Sequence, residues 1–414
     1  MSDDTRRRKS WLDGFMAYPL PAGQSEAQTR DHIVALDHAL YALWSLGENL
    51  VLGWTLRPLG LLLLVAPHAL VTEFVQAAPD ADEAARRAAA LQDLLAIDGP
   101  LDGAAFERSA LALSLTPHKV DLPFEPGHGV GLEAMAAIVA RYGIRLVEDR
   151  AVILLDAVGF SLLTPLQQVV QLGSLSCSVN SAYATLLGRE ININFARTTT
   201  GDGFYIWNRA RGVEANVELY QLMQFILADN AIARERAKSP QTVPRLRACF
   251  HVGSHYEFYQ SEGLNPTAFS YLVGQVTIEL ARMVDQALPG QILVGRFNTP
   301  MRDNGSSGSS GSTGRSEIDS VGFVARTRRP LKRLDGVKLA GSPVHSIQCY
   351  LTGRRGADGS FGISEFEIED KHRLHHRVYN AKVNIHRDGG APLYLGLRDE
   401  DLERFAARRV AAAE

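Results

Sequence analysis

Two aspartates stand where strands of a sheet are predicted to end or turn. Asp156 directly follows the apolar run 151–155, which is typical of a buried strand. Asp202 lies inside the turn sequence Thr-Gly-Asp-Gly at 200–203, between two strand-like segments. If the fold brings the two positions together, their carboxylates offer the oxygen ligands that Mg²⁺ and Mn²⁺ prefer. A pair of such ions stabilises both the attacking and the leaving oxygen of a phosphoryl displacement.

Each aspartate also has a purely structural explanation. Asp-Gly pairs are common in hairpin turns, so Asp202 alone indicates little about chemistry. Asp156 is harder to explain in this way, because a carboxylate at the end of a buried strand needs a partner. The glycines on either side of Asp202 would let a phosphate or a metal ion come close to the backbone.

The segments around the two aspartates follow a regular order along the chain. Their hydrophobic patterns predict a strand over 151–155, a helix over 165–187, strands over 190–197 and 204–207, a helix over 214–237 and a strand over 246–255. A helix over 272–287, a strand over 291–294 and a later strand over 344–351 follow. The β-α-β-β-α-β order with its extension predicts an α+β fold of the ferredoxin-like split βαβ type.

Flanking regions complete the predicted domain organisation. We expect a mainly helical N-terminal module over 1–144, a central domain over 145–352 and a small β-rich module over 353–414. The Gly/Ser-rich stretch 303–316 predicts a flexible loop within the central domain. A short helix is predicted over 399–409.

One apolar stretch, 50–65, invites comparison with a membrane span. Arg57 and Pro58 interrupt it at its middle, where an arginine is costly in lipid and a proline breaks the helical hydrogen bonds. We therefore predict a buried element, and peripheral membrane contact stays open as the alternative.

Composition excludes several classes of protein. The 414 residues carry 43 basic and 46 acidic side chains, a net charge of -3, which gives no footprint of a dedicated nucleic-acid binder. The three cysteines show no paired spacing, which argues against a disulfide framework and against a cysteine-based zinc site. No apolar core of a secretory signal follows the N-terminal arginines, so a cytoplasmic location is expected.

Several motifs, taken together and in order, resemble class III nucleotidyl cyclases. The segments that carry the resemblance are Leu-Asp-Ala-Val-Gly-Phe-Ser at 155–161, Thr-Gly-Asp-Gly-Phe at 200–204, Phe-His-Val-Gly at 250–253, Gly274 through Arg282, and Pro-Gly-Gln-Ile-Leu-Val at 289–294. The resemblance covers roughly residues 145–352, about half of the chain, with the Gly/Ser-rich loop as an insertion.

The resemblance implies a reaction and a site. Family members cyclise a nucleoside triphosphate to a 3′,5′-cyclic nucleotide and release pyrophosphate, with two Mg²⁺ or Mn²⁺ ions held here by Asp156 and Asp202. Arg282 would stabilise the charge that develops at the α-phosphate of a nucleotide bound to the partner subunit of a homodimer. The backbone implied to lie along the nucleotide comprises Ala157, Val158, Gly159, Phe160, Ser161 and Gly201.

The sequence departs from the family pattern at three positions. Ile278 stands where the family usually has an asparagine that orients the ribose, and isoleucine cannot make that hydrogen bond. Thr198 and Tyr271 occupy the base-selecting positions, which would give a neutral pocket. A shift of one residue in register would make Arg197 the base contact instead. A pyrimidine triphosphate is slightly favoured over ATP, as in bacterial cyclases of phage-defence systems.

Two rival functions stay open from the sequence. A catalytically silent cyclase relative that binds nucleotide and signals would explain Ile278. A polymerase-type palm that joins two nucleotides is disfavoured, because the sequence lacks a Gly-Gly-Asp/Glu-Glu-Phe turn. Assays with all four triphosphates distinguish these functions by their products.

Overall fold

The structure is a computed structural model, and it describes residues 12–262, 265–302, 315–353, 362–370, 373–397 and 401. The chain divides into two compact units. The first comprises residues 1–147 and 255–273, and the second comprises residues 148–254 and 274–414.

The first unit contains a sheet in the strand order β1-β2-β3. Its strands are β1 (Asn49–Arg57), β2 (Gly60–Pro67) and β3 (His118–Asp121). The α-helices of the first unit are α1 (Glu26–Trp44), α2 (His68–Gln76), α3 (Ala81–Leu95), α4 (Gly103–Ala112) and α5 (Leu132–Val139). We expected a mainly helical module over 1–144, but this region also contains a sheet.

The apolar stretch 50–65 forms the β1–β2 hairpin of this sheet. Arg57 pairs with Gly60, so the interrupting Arg57-Pro58 sequence marks the turn. The two strands are largely apolar because both faces of the hairpin are covered: Trp54 belongs to one buried cluster and Leu52 to another. The prediction of a buried element is confirmed. In the part of the chain that the structure describes, no helix has the length and apolar character needed to cross a membrane.

Further along the chain, strands and helices alternate around the two aspartates. The first group is β4 (Ile144–Ala157), α6 (Pro165–Leu187), β5 (Phe195–Thr199), β6 (Gly203–Asn208), α7 (Val213–Arg236), β7 (Leu246–Glu262) and β8 (Asn265–Val273). The second group is α8 (Gln275–Gln286), β9 (Ile292–Gly295), β10 (Asn298–Arg302), β11 (Arg315–Asp319) and α9 (Ser320–Leu331). The last group is β12 (Lys338–Leu339), β13 (Ser342–Leu351), β14 (Glu365–Glu369), β15 (His375–Arg387) and β16 (Gly390–Leu395).

The main sheet has the order β12-β13-β15-β9-β7-β4-β6-β5. Its portion β7-β4-β6-β5, built from β4-α6-β5-β6-α7-β7, has the strand order of a split βαβ unit. The predicted α+β fold class is therefore confirmed. Alternate residues of β4, such as Ile153 and Leu155, join the core formed with α6 and α7. Asp156 therefore points to the opposite face of the sheet.

Two predicted boundaries differ from the structure. The strand expected over 190–197 begins only at Phe195, because the Ile191 N–H still donates to the Leu186 carbonyl at the end of α6 (3.1 Å). The helix expected over 272–287 begins at Gln275, because Leu272 and Val273 pair with β7. Both errors arise where hydrogen bonds to a neighbouring element override the local pattern.

The C-terminal strands do not form a module of their own. β15 lies between β9 and β13 in the main sheet, so residues 365–395 belong to the second unit rather than to a separate module over 353–414. Residues 303–314 of the Gly/Ser-rich loop, and all but residue 401 of the helix expected over 399–409, lie outside the described residues.

Candidate functional site

The fold brings Asp156 and Asp202 together. β4 and β6 pair antiparallel, with Asp156 opposite Gly203, the residue that follows Asp202. The Ala157 N–H donates to the Asp202 carbonyl at 3.0 Å, which ties the end of β4 to the turn. The negative charge of Asp202 contributes to a raised pKa of the Asp156 carboxyl group, as expected for neighbouring acids. Two acids that are distant in sequence therefore share one corner of the sheet.

Glycines make this close approach feasible. A Cβ at Gly203 would lie 1.8 Å from the Leu155 carbonyl oxygen, so only glycine fits there. Gly201 adopts a φ of +100°, which other residues rarely adopt. The Thr200 hydroxyl donates to Asp202 Oδ1 at 3.2 Å and orients that carboxylate. The turn is thus built to present Asp202 beside β4.

Arg247 on β7 is a site residue that the sequence analysis missed. Its Nε and Nη2 both donate to Asp156 Oδ2, at 2.8 and 2.5 Å. A signal for it existed, since Arg247 stands among apolar residues in the segment 246–250 and a cation there needs a partner just as Asp156 does. Arg247 places a positive charge directly beside the aspartate pair.

Burial sets the electrostatics of Asp156. Burial raises the pKa of its carboxyl group, the Arg247 guanidinium opposes that rise, and the negative charge of Asp202 adds to it. The net direction is upward, so ionisation of Asp156 costs more in this site than it does in water. A bound cation would relieve this cost.

The donor set fits a hard divalent cation. Arg247 engages Oδ2 of Asp156, which leaves Oδ1 and the Asp202 carboxylate as oxygen ligands. Within the described residues no cluster of three or more His, Cys, Asp or Glu side chains forms a metal site. Other ligands would therefore come from backbone carbonyls, water or substrate oxygens, which suits ions that retain water and bind phosphate.

Part of the backbone that was expected to bind the phosphates already forms other hydrogen bonds. The Ala157 N–H is used as described above, and the Val158 N–H donates to the Arg245 carbonyl at 2.9 Å. Gly159, at φ +71°, turns the chain into a short 3₁₀ turn that contains Phe160 and Ser161. Of the residues expected to lie along the phosphates, Gly159 and Ser161 are exposed to solvent.

The helix that follows this loop begins with a complete cap. The Thr164 side chain accepts from the Gln167 N–H, and the Gln167 side chain accepts from the Thr164 N–H. Because these groups satisfy each other, the cap fixes the position of the loop relative to α6.

The proposed base-contacting residues lie on different elements. Thr198 is exposed on β5, opposite Tyr205 of β6. The guanidinium of Arg197, the alternative contact, lies 5.0 Å from the centre of the Phe204 ring. The backbone of Tyr271 lies in β8, opposite Phe258, within the first unit, and its side chain is outside the described part of the chain.

Arg282 is engaged within its own chain. Its Nη1 lies 2.6 Å from Asp370 Oδ2 and 3.3 Å from His376 Nε2. His376 Nδ1 in turn contacts Glu279 Oε2 at 2.7 Å, one helical turn before Arg282 on α8. Asp370 and His376 belong to the C-terminal strand pair and its connection, which the sequence analysis did not link to Arg282.

Ile278 lies on the same helix and is about half exposed, at 49%. An isoleucine at this exposure offers no hydrogen bond to a ligand. The neighbouring Thr277 hydroxyl donates to the Gly274 carbonyl at 2.9 Å and is already used. The structure therefore offers no substitute for the ribose-orienting amide on this turn of α8.

Comparison with known proteins gives remote structural likenesses. No family model matches the sequence, and no curated protein matches it. The chain is similar to the guanylate cyclase domain of RhGC from Catenaria anguillulae in complex with GTP, at 13% identity, covering 57% of this chain and 97% of that chain with a TM-score of 0.33.

Two further solved structures show the same level of likeness. The guanylyl cyclase Cya2 has 11% identity, covers 57% of this chain and 92% of its own, and gives a TM-score of 0.32. The adenylyl cyclase CyaB from P. aeruginosa has 13% identity, covers 42% of this chain and 94% of its own, and gives a TM-score of 0.30. Two of these three structures are guanylyl cyclases and one is an adenylyl cyclase.

Proposed function

We propose that the protein is a metal-dependent nucleotidyl cyclase. One observation carries the proposal: Asp156 and Asp202 converge on one corner of the sheet, beside the cationic Arg247. Together with the motif resemblance, this donor set suits a nucleoside triphosphate with its divalent cations. In the reaction the ribose 3′-oxygen forms a bond to the α-phosphorus, the bond to the β-phosphate oxygen breaks, pyrophosphate leaves, and the hydroxyl proton passes to solvent.

Two Mg²⁺ or Mn²⁺ ions, when bound, would lower the pKa of the 3′-hydroxyl group and neutralise phosphate charge. The protein's own residues then have distinct tasks. Asp156 and Asp202 hold the ions, and the Gly201 turn leaves room beside the backbone. Arg247, 24% exposed, can exchange its contact with Asp156 for one with a phosphate oxygen.

The resemblance further implies a homodimer in which Arg282 acts on the partner's nucleotide. An exposed apolar stripe supports self-association: Leu162, in the turn before α6, and Leu166 and Val169, in its first turns, are 89%, 74% and 67% exposed. In that arrangement Arg282 must leave Asp370 and His376 before it can reach the partner's substrate.

Substrate selection is the finer part of the proposal. Thr198, or Arg197 if the register shifts by one residue, would contact the base from β5, where both side chains are exposed. A pyrimidine triphosphate is favoured over ATP, because neither the lysine typical of adenylyl cyclases nor the glutamate typical of guanylyl cyclases stands at position 198.

The test is turnover with defined substrates. Purified full-length protein is incubated with Mn²⁺ and each of ATP, GTP, CTP and UTP, and products are identified by mass spectrometry. A 3′,5′-cyclic monophosphate from at least one triphosphate is expected, and cyclic CMP or cyclic UMP is the favoured product. Linear or cyclic dinucleotides would instead identify a palm-type polymerase.

A catalytically silent nucleotide-binding protein is the second function with specific support. Ile278 offers no ribose contact, and the ion pair with Asp370 holds Arg282. Tight binding of a triphosphate without any cyclic product would establish this alternative in place of the first.

A further inference from the structure

A separate cavity of about 510 Å³ opens between the end of α9 and β13. Arg328, Leu331 and Lys332 form one wall, with Asp335 just beyond them. Residues 346–350 form the other wall. None of these residues belongs to the site built around Asp156, so the cavity is distinct from that site.

The β13 wall is the edge of a strand rather than its face. Successive side chains of a strand point to opposite faces, so five consecutive residues can line one cavity only where the strand's edge borders it. Pairing on this side ends early: Lys338 pairs with Pro343, and the Val344 N–H donates to the Val337 carbonyl at 2.7 Å. Beyond Val344, no strand among the described residues pairs with this side of β13.

Such an edge is ready to accept another strand. Proteins usually protect open edges with lysine, proline or inward-pointing charges, because unpaired N–H and C=O groups otherwise pair with other chains. Residues 346–350 read Ser-Ile-Gln-Cys-Tyr and contain none of these protections. The backbone of this edge therefore suits an extended peptide added in the manner of β-augmentation.

The opposite wall of the cavity is positively charged and therefore favours an acidic peptide. Arg328 and Lys332 are exposed and four residues apart, so they lie on one side of the helix, separated by roughly 6 Å along its axis. Alternate residues of an extended strand are spaced by roughly 6.6 Å. Two carboxylates on alternate residues of a bound strand would therefore match the two cations.

We propose that an extended acidic segment of a partner protein, with carboxylates on alternate residues, binds along β13 as an added strand. The acidic positions face Arg328 and Lys332, and the intervening backbone pairs with residues 346–350. Asp335 limits the binding surface at its far end, because a further carboxylate there would be repelled.

The probe is a synthetic peptide of that pattern, for which the sequence Ser-Glu-Phe-Glu-Ile-Glu at 364–369 is a convenient template. Its affinity for the full-length protein is measured by calorimetry. The double variant Arg328→Ala/Lys332→Ala is expected to lower the affinity about tenfold. The matched control Arg326→Ala/Arg329→Ala, on the same helix but outside the cavity lining, is expected to leave it unchanged.

Two modified peptides test the two contributions separately. Replacing the three glutamates by glutamine tests the charge match, and N-methylation of alternate amides tests the backbone pairing. Loss of affinity in the glutamine peptide and in one of the two N-methylated registers supports the proposal. Equal affinity for the native and the glutamine peptide, or for both N-methylated peptides, overturns it.

Two further experimental results would show that something other than an acidic peptide binds the edge of β13. If Arg328→Ala/Lys332→Ala changes the oligomeric state in light scattering and the peptide does not bind, the edge is an interface between copies of this chain. If adenosine monophosphate binds in an Arg328-dependent manner and the peptide does not, the cavity is a nucleotide site. Either result contradicts the proposal.

Discussion

At the scale of single residues, Asp156 shows why this corner of the sheet suits cations. Its carboxylate is buried and lies near the carboxylate of Asp202. The positive charge of Arg247 balances its negative charge only in part. A site that disfavours its own negative charge gains from a bound cation.

Replacement of Asp156 by asparagine therefore separates stability from activity. Asp156→Asn removes a charge that the fold disfavours, so we expect unfolding in urea at pH 7 to require no less denaturant than for the wild type. Cyclic-nucleotide formation should fall to background, because a cation ligand is lost. An exposed control, Asp388→Asn, should leave both properties unchanged. Near-normal turnover in Asp156→Asn would show that the assignment of this ligand is wrong.

His251 gives a prediction about pH. Burial lowers the pKa of its imidazole to about 4, and it packs against Phe297 and Gly295. Because the folded state resists protonation that the unfolded state accepts near pH 6.5, its contribution to stability is lost as the pH falls toward 4. We expect the free energy of unfolding to drop by about 2 kcal/mol between pH 7 and 5 from this group.

The measurement compares urea unfolding at both pH values for the wild type, His251→Leu and the exposed control His345→Leu. The pH-dependent loss should shrink in His251→Leu and persist in His345→Leu. An identical pH dependence in all three proteins would rule out His251 as its source.

At the scale of elements, the C-terminal strands control the position of Arg282. Asp370 follows β14 and is 5% exposed, and it bonds Arg282 of α8. Asp370→Asn leaves Arg282 without its buried anion, while His376 keeps its contact with Glu279, and we expect a loss of about 1–3 kcal/mol in unfolding free energy. Asp388→Asn, at an exposed pair with His345, should cost less than about 1 kcal/mol. Equal effects in urea melts would mean that the Asp370 contact is not structural.

Much of the element pattern could be predicted from the sequence because local signals and tertiary contacts agree. α6 has its predicted bounds of 165–187, since Thr164 and Pro165 mark its start and the leucines keep helical spacing. The strand and turn signals at Asp156 and Asp202 were compatible with convergence, and the pairing of β4 with β6 brings the two residues together.

Other features depended on contacts that are distant in sequence. The C-terminal strands carry alternating patterns, yet no pattern shows that β15 inserts between β9 and β13. The bond between Arg282 and Asp370 likewise joins residues whose proximity only the folded sheet determines. Arg247 was detectable as a cation among the apolar residues at the start of β7, but its partner was not.

At the scale of the whole molecule, the proposed homodimer predicts complementation. Asp156→Ala and Arg282→Ala chains are each expected to be inactive alone. A mixture should recover part of the activity, because some heterodimers contain one site with both an intact aspartate pair and an intact arginine. Leu166→Asp, in the exposed stripe of α6, should weaken self-association and reduce this recovery. Mixed dimers confirmed by mass spectrometry but devoid of activity would argue against a shared site.

The most direct test of the central proposal is cation binding at the aspartate pair in the presence of a nucleotide. Mn²⁺ is titrated into the full-length protein with a non-cyclisable triphosphate analogue, and bound Mn²⁺ is counted by electron paramagnetic resonance. We predict two ions per site in the wild type, with binding lost in Asp156→Asn and in Asp202→Asn and retained in Asp388→Asn. Unchanged Mn²⁺ binding in both aspartate variants would contradict the proposed function.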